Sequence, residues 1–146
     1  MPMNVNSVII YLAIVLAGHV VVSIADSFAA REISTRLNIS KAKAIFTQDL
    51  IIRGDKSIAL YSRVVDAQSP LAIVIPTKST GFSMKLRDGD ISWHAFLERV
   101  KELKGVEFAA VEQSAESFTN ILFSSGTTGE PKSNSMDARN TFESCS

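Results

Sequence analysis

The chain has 146 residues, of which 46% are hydrophobic and 21% charged, so it can form one globular domain and is not disordered as a whole. Fifteen Lys and Arg residues balance fifteen Asp and Glu residues, which leaves no basic footprint of a nucleic-acid-binding protein. The single cysteine, Cys145, excludes an internal disulfide and a cysteine-based zinc site, and a reducing compartment is the default.

The N-terminal run Val8–Ala25 contains no charged residue and is about as long as a membrane span. Gly18 and His19 interrupt it, and the β-branched residues that follow are typical of a buried strand. No Lys or Arg precedes the run, so a signal peptide or a positive-inside flank is not indicated. We therefore expect a buried core helix followed by a strand, with a membrane anchor as the alternative.

Helical and strand patterns alternate along the rest of the chain. Asp26–Asn38 has apolar residues along one helical face and Asp26 or Ser27 as a cap. Leu71–Ile75 is an apolar strand that Pro76 ends, and a polar surface loop is expected after it. Further strands are predicted at residues 42–47, 106–111 and 119–123.

The clearest helix is predicted between Asp90 and Gly105. Apolar residues recur there at helical spacing, Ser92 can cap the helix, and Gly105 can stop it. Trp93 is expected in the core. Asp88 and Asp90 flank Gly89 in the manner of a turn and a helix cap, which is a simpler interpretation than a catalytic carboxylate pair.

Strands that are continuous apolar runs and alternate with helices predict an α/β fold, a layered sheet with flanking helices. Ligands of such sheets lie beyond the carboxyl ends of the strands. The segment "SSGTTGEPK", Ser124–Lys132, leaves one of those ends directly after Phe123. Its glycines and hydroxyls can direct donors at anionic oxygens, with Lys132 as a point charge, so phosphate binding is predicted there.

Other readings of the chemically active residues are less favourable. Gly126–Ser133 nearly fits the nucleotide-triphosphatase loop, but Pro131 stands where that pattern needs a glycine, and proline has no N–H for a phosphate cradle. His19 and His94 have no Cys or carboxylate at ligand spacing, so no metal site is predicted.

All nine positions of Ser124–Lys132 resemble the phosphate-binding signature of the adenylate-forming superfamily. The stretches "IADSFAAREISTRL" and "LRDGDISWHAFL" are similar to plant acyl-activating enzymes related to acetyl-CoA synthetase. The resemblance covers residues 1 to 132 and implies part of the large N-terminal domain of an acid–CoA ligase. Such enzymes use ATP and Mg²⁺ to join a carboxylic acid to AMP, and many then transfer the acyl group to coenzyme A.

By this resemblance, a set of hydroxyls, N–H groups and one ammonium would hold the β- and γ-phosphates of ATP. The residues are Ser124, Ser125, Gly126, Thr127, Thr128, Gly129 and Lys132. No catalytic residue of the family is matched in this chain, because the resemblance ends at Lys132. The acid substrate is left open for the same reason.

The resemblance divides the chain into a partial AMP-binding domain, residues 1–132, and a polar tail, residues 133–146, expected to be disordered. We expect an incomplete ligase domain that is inactive alone. A noncatalytic partner of a full-length ligase is a further alternative to the membrane-associated protein. The compartment is peroxisomal or cytoplasmic by resemblance, and the last three residues, "SCS", do not form a peroxisomal signal of the "SKL" type.

Overall fold

The computed structural model describes residues 1–78, 81–82, 84–103 and 105–124, and the backbone of residues 132–137. The chain divides into two compact units, of which the first comprises Met1–Pro2 and Ala25–Val106 and the second comprises Met3–Ile24 and Glu107–Ser146.

The first unit is an α/β layer built on a three-stranded parallel sheet. Its strands, in spatial order, are β2 (Ala44–Gln48), β5 (Leu71–Ile75) and β6 (Ile91–Ser92). A short antiparallel hairpin joins β3 (Ile51–Arg53) to β4 (Lys56–Ile58). The helices are α2 (Ala30–Ser40), α3 (Leu60–Asp66) and α4 (Trp93–Glu102).

The core of this unit lies between α3 and β5. Tyr61, Val64, Ala72 and Val74 form a fully buried cluster, since the alternate residues of β5 face α3. Phe82, Met84 and Leu86 pack against that cluster from the segment that follows β5. The segment predicted to be a polar surface loop therefore also supplies part of the apolar packing.

The described residues of the second unit form a mixed sheet and one helix. Its strands, in spatial order, are β1 (Val21–Val22), β7 (Phe118–Ser124) and β8 (Lys132–Asp137); β7 runs parallel to β1 and antiparallel to β8. The helix is α1 (Val5–Leu16), which Asn4 caps by accepting a hydrogen bond from the N–H of Ser7 at 3.0 Å. Val111 donates its N–H to the carbonyl of Leu16 at 2.8 Å, which holds the end of α1.

Several predicted elements are confirmed. The α/β class is confirmed, and so are the strand Leu71–Ile75 and the strand that precedes Ser124. Ser92 caps α4 by accepting a hydrogen bond from the N–H of Ala95 at 3.0 Å. The Val8–Ala25 run is divided into a helix and a strand, as expected.

The expectation that the N-terminal helix is buried in the core is wrong for most of its apolar residues. Ile10 is buried, whereas Ile9, Leu12 and Leu16 are each more than half exposed. Apolar content predicts that a helix has a packing partner somewhere, but it does not say whether that partner lies among the described residues. Within those residues, no helix is long and apolar enough to cross a membrane.

The helix predicted from Asp26 begins later, at Ala30, because Asp26 forms contacts with residues outside this helix. Its carboxylate pairs with the Arg53 guanidinium at 2.9 Å, and its carbonyl accepts a hydrogen bond from Arg63 at 3.2 Å. The first turn of α2 is instead satisfied by the carboxylate of Glu32, which accepts a hydrogen bond from the N–H of Ala29 at 3.0 Å. Asp26 and Ser27 are therefore not helix caps.

Two other expectations need correction. Residues 106–111 do not form a strand, since no described strand provides a ladder of backbone hydrogen bonds to this segment. The polar tail expected from Ser133 begins with regular structure, because residues 133–137 belong to β8 and pair with β7. Backbone pairing here outweighs the polar composition of the segment. Residues 138–146 lie outside the described residues.

Trp93 is half-buried and does not lie in the deep core. Its ring stacks on Phe96 with the centroids 5.6 Å apart, and both rings meet Phe46 of β2 edge-on. These contacts attach α4 to the sheet through aromatic side chains. The outer apolar residues of α4, such as Leu97 and Val100, remain exposed.

Candidate phosphate-binding hairpin

The predicted phosphate loop connects the two antiparallel strands β7 and β8. Apolar residues such as Ile121 and Phe123 favour the extended conformation of β7, which is the middle strand of its sheet. β7 ends at Ser124, and β8 begins at Lys132. The nine-residue motif therefore starts on the last residue of one strand and ends on the first residue of the next.

Strand register places the two ends of the motif side by side. Ser124 and Lys132 are Cα partners in the β7–β8 ladder, and directly opposed residues of an antiparallel pair have Cα atoms about 4.5 to 5.5 Å apart. The motif therefore begins and ends at neighbouring positions of the ladder, at the carboxyl end of β7. Because β7 is parallel to β1, this is the sheet edge where α/β folds bind ligands.

The structure bears on only part of the predicted site. Ser124 lies on the more exposed face of β7, and Lys132 is described through its backbone alone. The other predicted contacts, Ser125, Gly126, Thr127, Thr128 and Gly129, lie outside the described residues. The assignment of phosphate contacts to these residues stays a prediction.

The strand at Lys132 bears on the nucleotide-triphosphatase alternative. In that class of loop, a helix opens at the lysine and directs its N-terminal N–H groups at the phosphates. Here Lys132–Asp137 is a β-strand paired with β7. The hairpin geometry therefore disagrees with that class and agrees with the sequence argument from Pro131.

One buried polar atom near the hairpin has no hydrogen-bond partner within the described part of the chain. It is the side-chain oxygen of Asn120, in the middle of β7. A buried amide oxygen without a donor is costly, and most such atoms in proteins acquire a partner. Asn120 thus marks a place on β7 that suits a donor from elsewhere.

Sequence reasoning missed a carboxylate at the carboxyl edge of the other sheet. Asp49 follows β2 and is 2% exposed. Its Oδ1 accepts hydrogen bonds from the N–H of Leu50 at 2.8 Å and from the N–H and hydroxyl of Thr77 at 2.8 and 2.7 Å. The carboxylate joins the residues that follow β2 and β5. The signal in the sequence was an Asp and a Thr placed just beyond two apolar strands.

The carboxylate of Asp90 has a structural function different from the helix cap that was predicted. It accepts hydrogen bonds from the Tyr61 hydroxyl at 2.8 Å, the Ala72 N–H at 2.8 Å and the Arg87 guanidinium at 3.0 Å. Burial by itself would raise the pKa of Asp90, but these donors outweigh it, beginning with Arg87, and the pKa lies below its ordinary value. Burial raises the pKa of the Tyr61 phenol; the hydrogen bond from the Arg87 N–H opposes this effect, and the hydrogen bond to Asp90 adds to it.

The two histidines are predicted to be ordinary core or surface residues. His19 and His94 are exposed. Among the described residues, no group of three or more His, Cys, Asp or Glu side chains is arranged to hold a metal ion.

An open α/β sheet with a hairpin rich in Gly, Ser and Thr at its carboxyl edge is typical of proteins that bind nucleotide phosphates. Residues 1–146 match the family model described as AMP-binding enzyme. The chain belongs to this family.

Named relatives agree with the resemblance inferred from the motif. The chain is 73% identical over 132 residues to "Probable acyl-activating enzyme 17, peroxisomal" of Arabidopsis thaliana and 71% identical over 132 residues to "Hexanoyl-CoA synthase" of Cannabis sativa. Both matches cover 90% of the chain and 18% of the relative, so the chain spans about a fifth of the length of these relatives. The predicted resemblance to acyl-activating enzymes is confirmed.

A solved structure shows the same fold. The chain superposes on acetoacetyl-CoA synthetase from Streptomyces lividans with a TM-score of 0.77 and 24% identity, over 94% of this chain and 21% of that one. The open α/β arrangement described above is thus the fold of part of an acyl-CoA synthetase.

Proposed function

We propose that this chain forms the triphosphate-binding part of an ATP-dependent acid–CoA ligase. The observation that carries the proposal is the β7–β8 hairpin, whose register sets Ser124 opposite Lys132 at the two ends of the signature motif. Family membership supports the same conclusion. Strand pairing at both ends of a glycine-containing segment reduces the conformational entropy that the segment would lose on binding a ligand.

The proposed contacts follow from the chemistry of the residues. Hydroxyls of Ser124, Ser125, Thr127 and Thr128 would donate to the β- and γ-phosphate oxygens, and Lys132 would neutralise their charge. The glycines, Gly126 and Gly129, would allow backbone N–H groups to approach closely. Mg²⁺ enters as the ion carried by the triphosphate, since this ion is commonly bound through substrate phosphates.

In the proposed reaction, a carboxylate oxygen of the acid attacks the α-phosphorus of ATP. The new bond joins acid and AMP, and the bond to the β-phosphate oxygen breaks with its electron pair, releasing pyrophosphate. The residues of the hairpin would stabilise the charge that develops on that leaving group. Transfer of the acyl group to the thiol of coenzyme A, with release of AMP, would follow on a whole ligase.

We further propose that the chain does not form acyl-adenylate alone. The reaction needs the acid, the α-phosphate and the adenosine to be held together, and an error of about 1 Å in position can cost on the order of a hundredfold in rate. The residues assigned here address only the pyrophosphate end of the substrate. The compartment of the ligase is proposed by resemblance as peroxisomal or cytoplasmic.

Replacement of Lys132 tests the proposal. Lys132→Ala should weaken binding of pyrophosphate or ATP by about 1 to 3 kcal/mol, the range for a charge-assisted contact, or about 5- to 150-fold. The measurement is isothermal titration of the full chain with pyrophosphate, with and without Mg²⁺. Lys43→Ala, which removes an exposed lysine from the other unit, is the matched control and should bind as the wild-type chain does.

Two results would contradict the proposal. Equal binding of pyrophosphate by Lys132→Ala, Lys43→Ala and wild type would show that the proposed phosphate site does not exist. Acid-dependent exchange of labelled pyrophosphate into ATP by the wild-type chain, lost in Lys132→Ala, would show that the chain completes adenylation alone.

A further inference from the structure

An open groove lies between α3 and the segment that follows β5. Its volume is about 220 Å³, and the side chains that line it are Tyr61, Ser62, Val65, Asp66, Met84 and Lys85. We refer to it as the α3 groove. A water molecule takes up about 30 Å³ of the liquid, so the α3 groove admits water and polar solutes of similar size.

The side chain of Met84 lies between this groove and the core. It is half-buried and packs against the buried cluster that contains Tyr61 and Val74. Its sulfur accepts a hydrogen bond from the hydroxyl of Ser62 at 3.9 Å, and Ser62 is itself part of the groove wall. The thioether is therefore in contact with apolar core residues and lies beside a space that solvent enters.

This position distinguishes Met84 from a methionine that is simply exposed. Peroxides oxidise an accessible methionine to its sulfoxide, which is more polar than the thioether. Met3 is 88% exposed, so a sulfoxide there would face water and disturb no buried contact. A sulfoxide at Met84 would instead bring a strong dipole against apolar neighbours, which is unfavourable unless the dipole moves into water.

We propose that Met84 is a site of reversible oxidation by hydrogen peroxide, and that its sulfoxide loosens the packing of residues 84–86 on α3. In the reaction, a lone pair of the sulfur attacks one peroxide oxygen and the O–O bond breaks. The departing oxygen keeps the electron pair of that bond, takes up the proton of the transferred oxygen and leaves as water. The sulfur loses two electrons, which the peroxide gains.

The contacts of Arg87 explain why the loosening would be local and reversible. Its N–H donates to the Tyr61 hydroxyl at 2.6 Å, and its guanidinium donates to the carbonyls of Ser69 and Pro70 at 3.0 Å each. None of these groups is oxidised when the thioether becomes a sulfoxide. Arg87 would therefore hold the segment near α3, so that Met84 can pack again once the sulfoxide is reduced.

Peroxide treatment of the full chain tests the proposal. The Cys145→Ser variant serves as the parent, so that oxidation of the thiol does not contribute. Peptide mass spectrometry should find sulfoxide at Met84 forming within about tenfold of the rate at Met3, because both sulfurs are open to solvent. Hydrogen exchange of the α3 and β5 amides should then rise by about tenfold or more. Methionine sulfoxide reductases A and B, which together reduce both epimers, should restore the original exchange.

Three variants of this parent serve as controls. Met84→Leu keeps an apolar side chain of similar volume that peroxide does not oxidise, so its α3 amides should stay protected after treatment. Met3→Leu should respond as the parent does. Met84→Gln, which has a polar side chain of similar length, should show the faster exchange before any peroxide is added.

Four results would overturn the proposal. Met84 that stays reduced after Met3 is fully converted would show that peroxide does not reach its sulfur. Sulfoxide at Met84 with unchanged exchange would show that this sulfur does not control the packing. Equal loss of protection in Met84→Leu would assign the effect to another residue. Exchange that stays fast after both reductases have acted would show irreversible damage.

The inference stands apart from the proposed phosphate site. The α3 groove belongs to the unit that contains Ala25–Val106, and the β7–β8 hairpin belongs to the other unit. Pyrophosphate titration with Lys132→Ala tests the hairpin, whereas peroxide treatment with Met84→Leu tests the groove. Failure of either experiment would leave the other proposal intact.

Discussion

The two units of the chain differ most in how they bury their apolar residues. Apart from Ile10, every buried apolar residue in the described part of the chain belongs to the unit that contains Ala25–Val106. That unit also contains the carboxylates of Asp49 and Asp90, each satisfied by several donors. The unit with the β7–β8 hairpin has instead an apolar helix that is largely exposed.

The difference in burial predicts a difference in stability between the two units. Because burial of apolar surface is the main favourable term in folding, we expect the Ala25–Val106 unit to be the more stable part of the chain. The hairpin unit carries the motif for which the family is recognised, yet its described residues give it little packing. Local stability in proteins varies in this way, and ligand-binding segments commonly come from the less stable end.

The largest effect on stability should come from Tyr61, which belongs both to the buried cluster and to the hydrogen-bond network of Asp90. Tyr61 is 2% exposed, and its hydroxyl donates to Asp90 and accepts from the Arg87 N–H at 2.6 Å. Tyr61→Ala should lower the free energy of unfolding of its unit by about 3 to 5 kcal/mol, the cost of truncating a buried aromatic residue. Amide hydrogen exchange, read separately for the two units, measures this.

Tyr61→Phe provides the control for that experiment. It keeps the ring and removes only the hydroxyl, so the loss should be about 1 to 3 kcal/mol, the cost of leaving buried partners unpaired. Amides of the hairpin unit should keep their exchange rates in both variants. Equal loss of protection in both units would show that they unfold together and do not differ in stability.

A smaller effect should appear as a dependence on pH. The pKa of Asp90 is lowered in the folded protein, so the ionised carboxylate stabilises the fold at any pH above the unfolded value of about 3.9. That stabilisation is lost as the pH falls from about 3.9 through the lower folded-state pKa. Protection of the Ala25–Val106 amides should therefore decline over this acidic range.

Asp90→Asn identifies the group responsible for the acid response. The amide keeps the shape of the side chain but does not titrate, so the variant should be less stable at neutral pH and should show a flatter acid response. If wild type and Asp90→Asn lose protection in parallel on acidification, another carboxylate controls the transition.

The elements that could be predicted from the sequence are those that a local pattern of residues specifies. β5 was predicted because a five-residue apolar run ends at Pro76, and α4 because Ser92 precedes a helical apolar repeat. Residues 106–111 were apolar enough for a strand, but a strand also needs a partner ladder, which composition does not reveal. The longest-range hydrogen bonds of Asp49 and Asp90 come from residues 28 and 29 positions away, respectively, and no local pattern specifies such partners.

The candidate site likewise has a part that local sequence predicts and a part that depends on pairing with a distant strand. The nine residues of Ser124–Lys132 predicted phosphate binding by residue type and spacing alone. The strand that begins at Lys132 was not predicted, because its polar residues are held extended by pairing with β7 and not by their own preference. The missed α3 helix had a signal in Leu60, Tyr61 and Val64, whose spacing places them on one helical face.

The smallest expected effect concerns Leu12 in the isolated chain. Its side chain is 52% exposed, and substitutions at exposed positions usually change stability by less than about 0.5 kcal/mol. Leu12→Ala should therefore leave hydrogen exchange of the hairpin unit within that limit, while Ile10→Ala, on the buried side of the same helix, should cost about 2 to 5 kcal/mol. The pair is matched, since both variants place Ala in α1 and remove an aliphatic side chain of equal carbon number. A cost above about 2 kcal/mol for Leu12→Ala would mean that the isolated chain already covers the exposed apolar side of α1. The hairpin unit would then bury more apolar surface than its described residues indicate, and the expected difference in stability between the two units would be wrong.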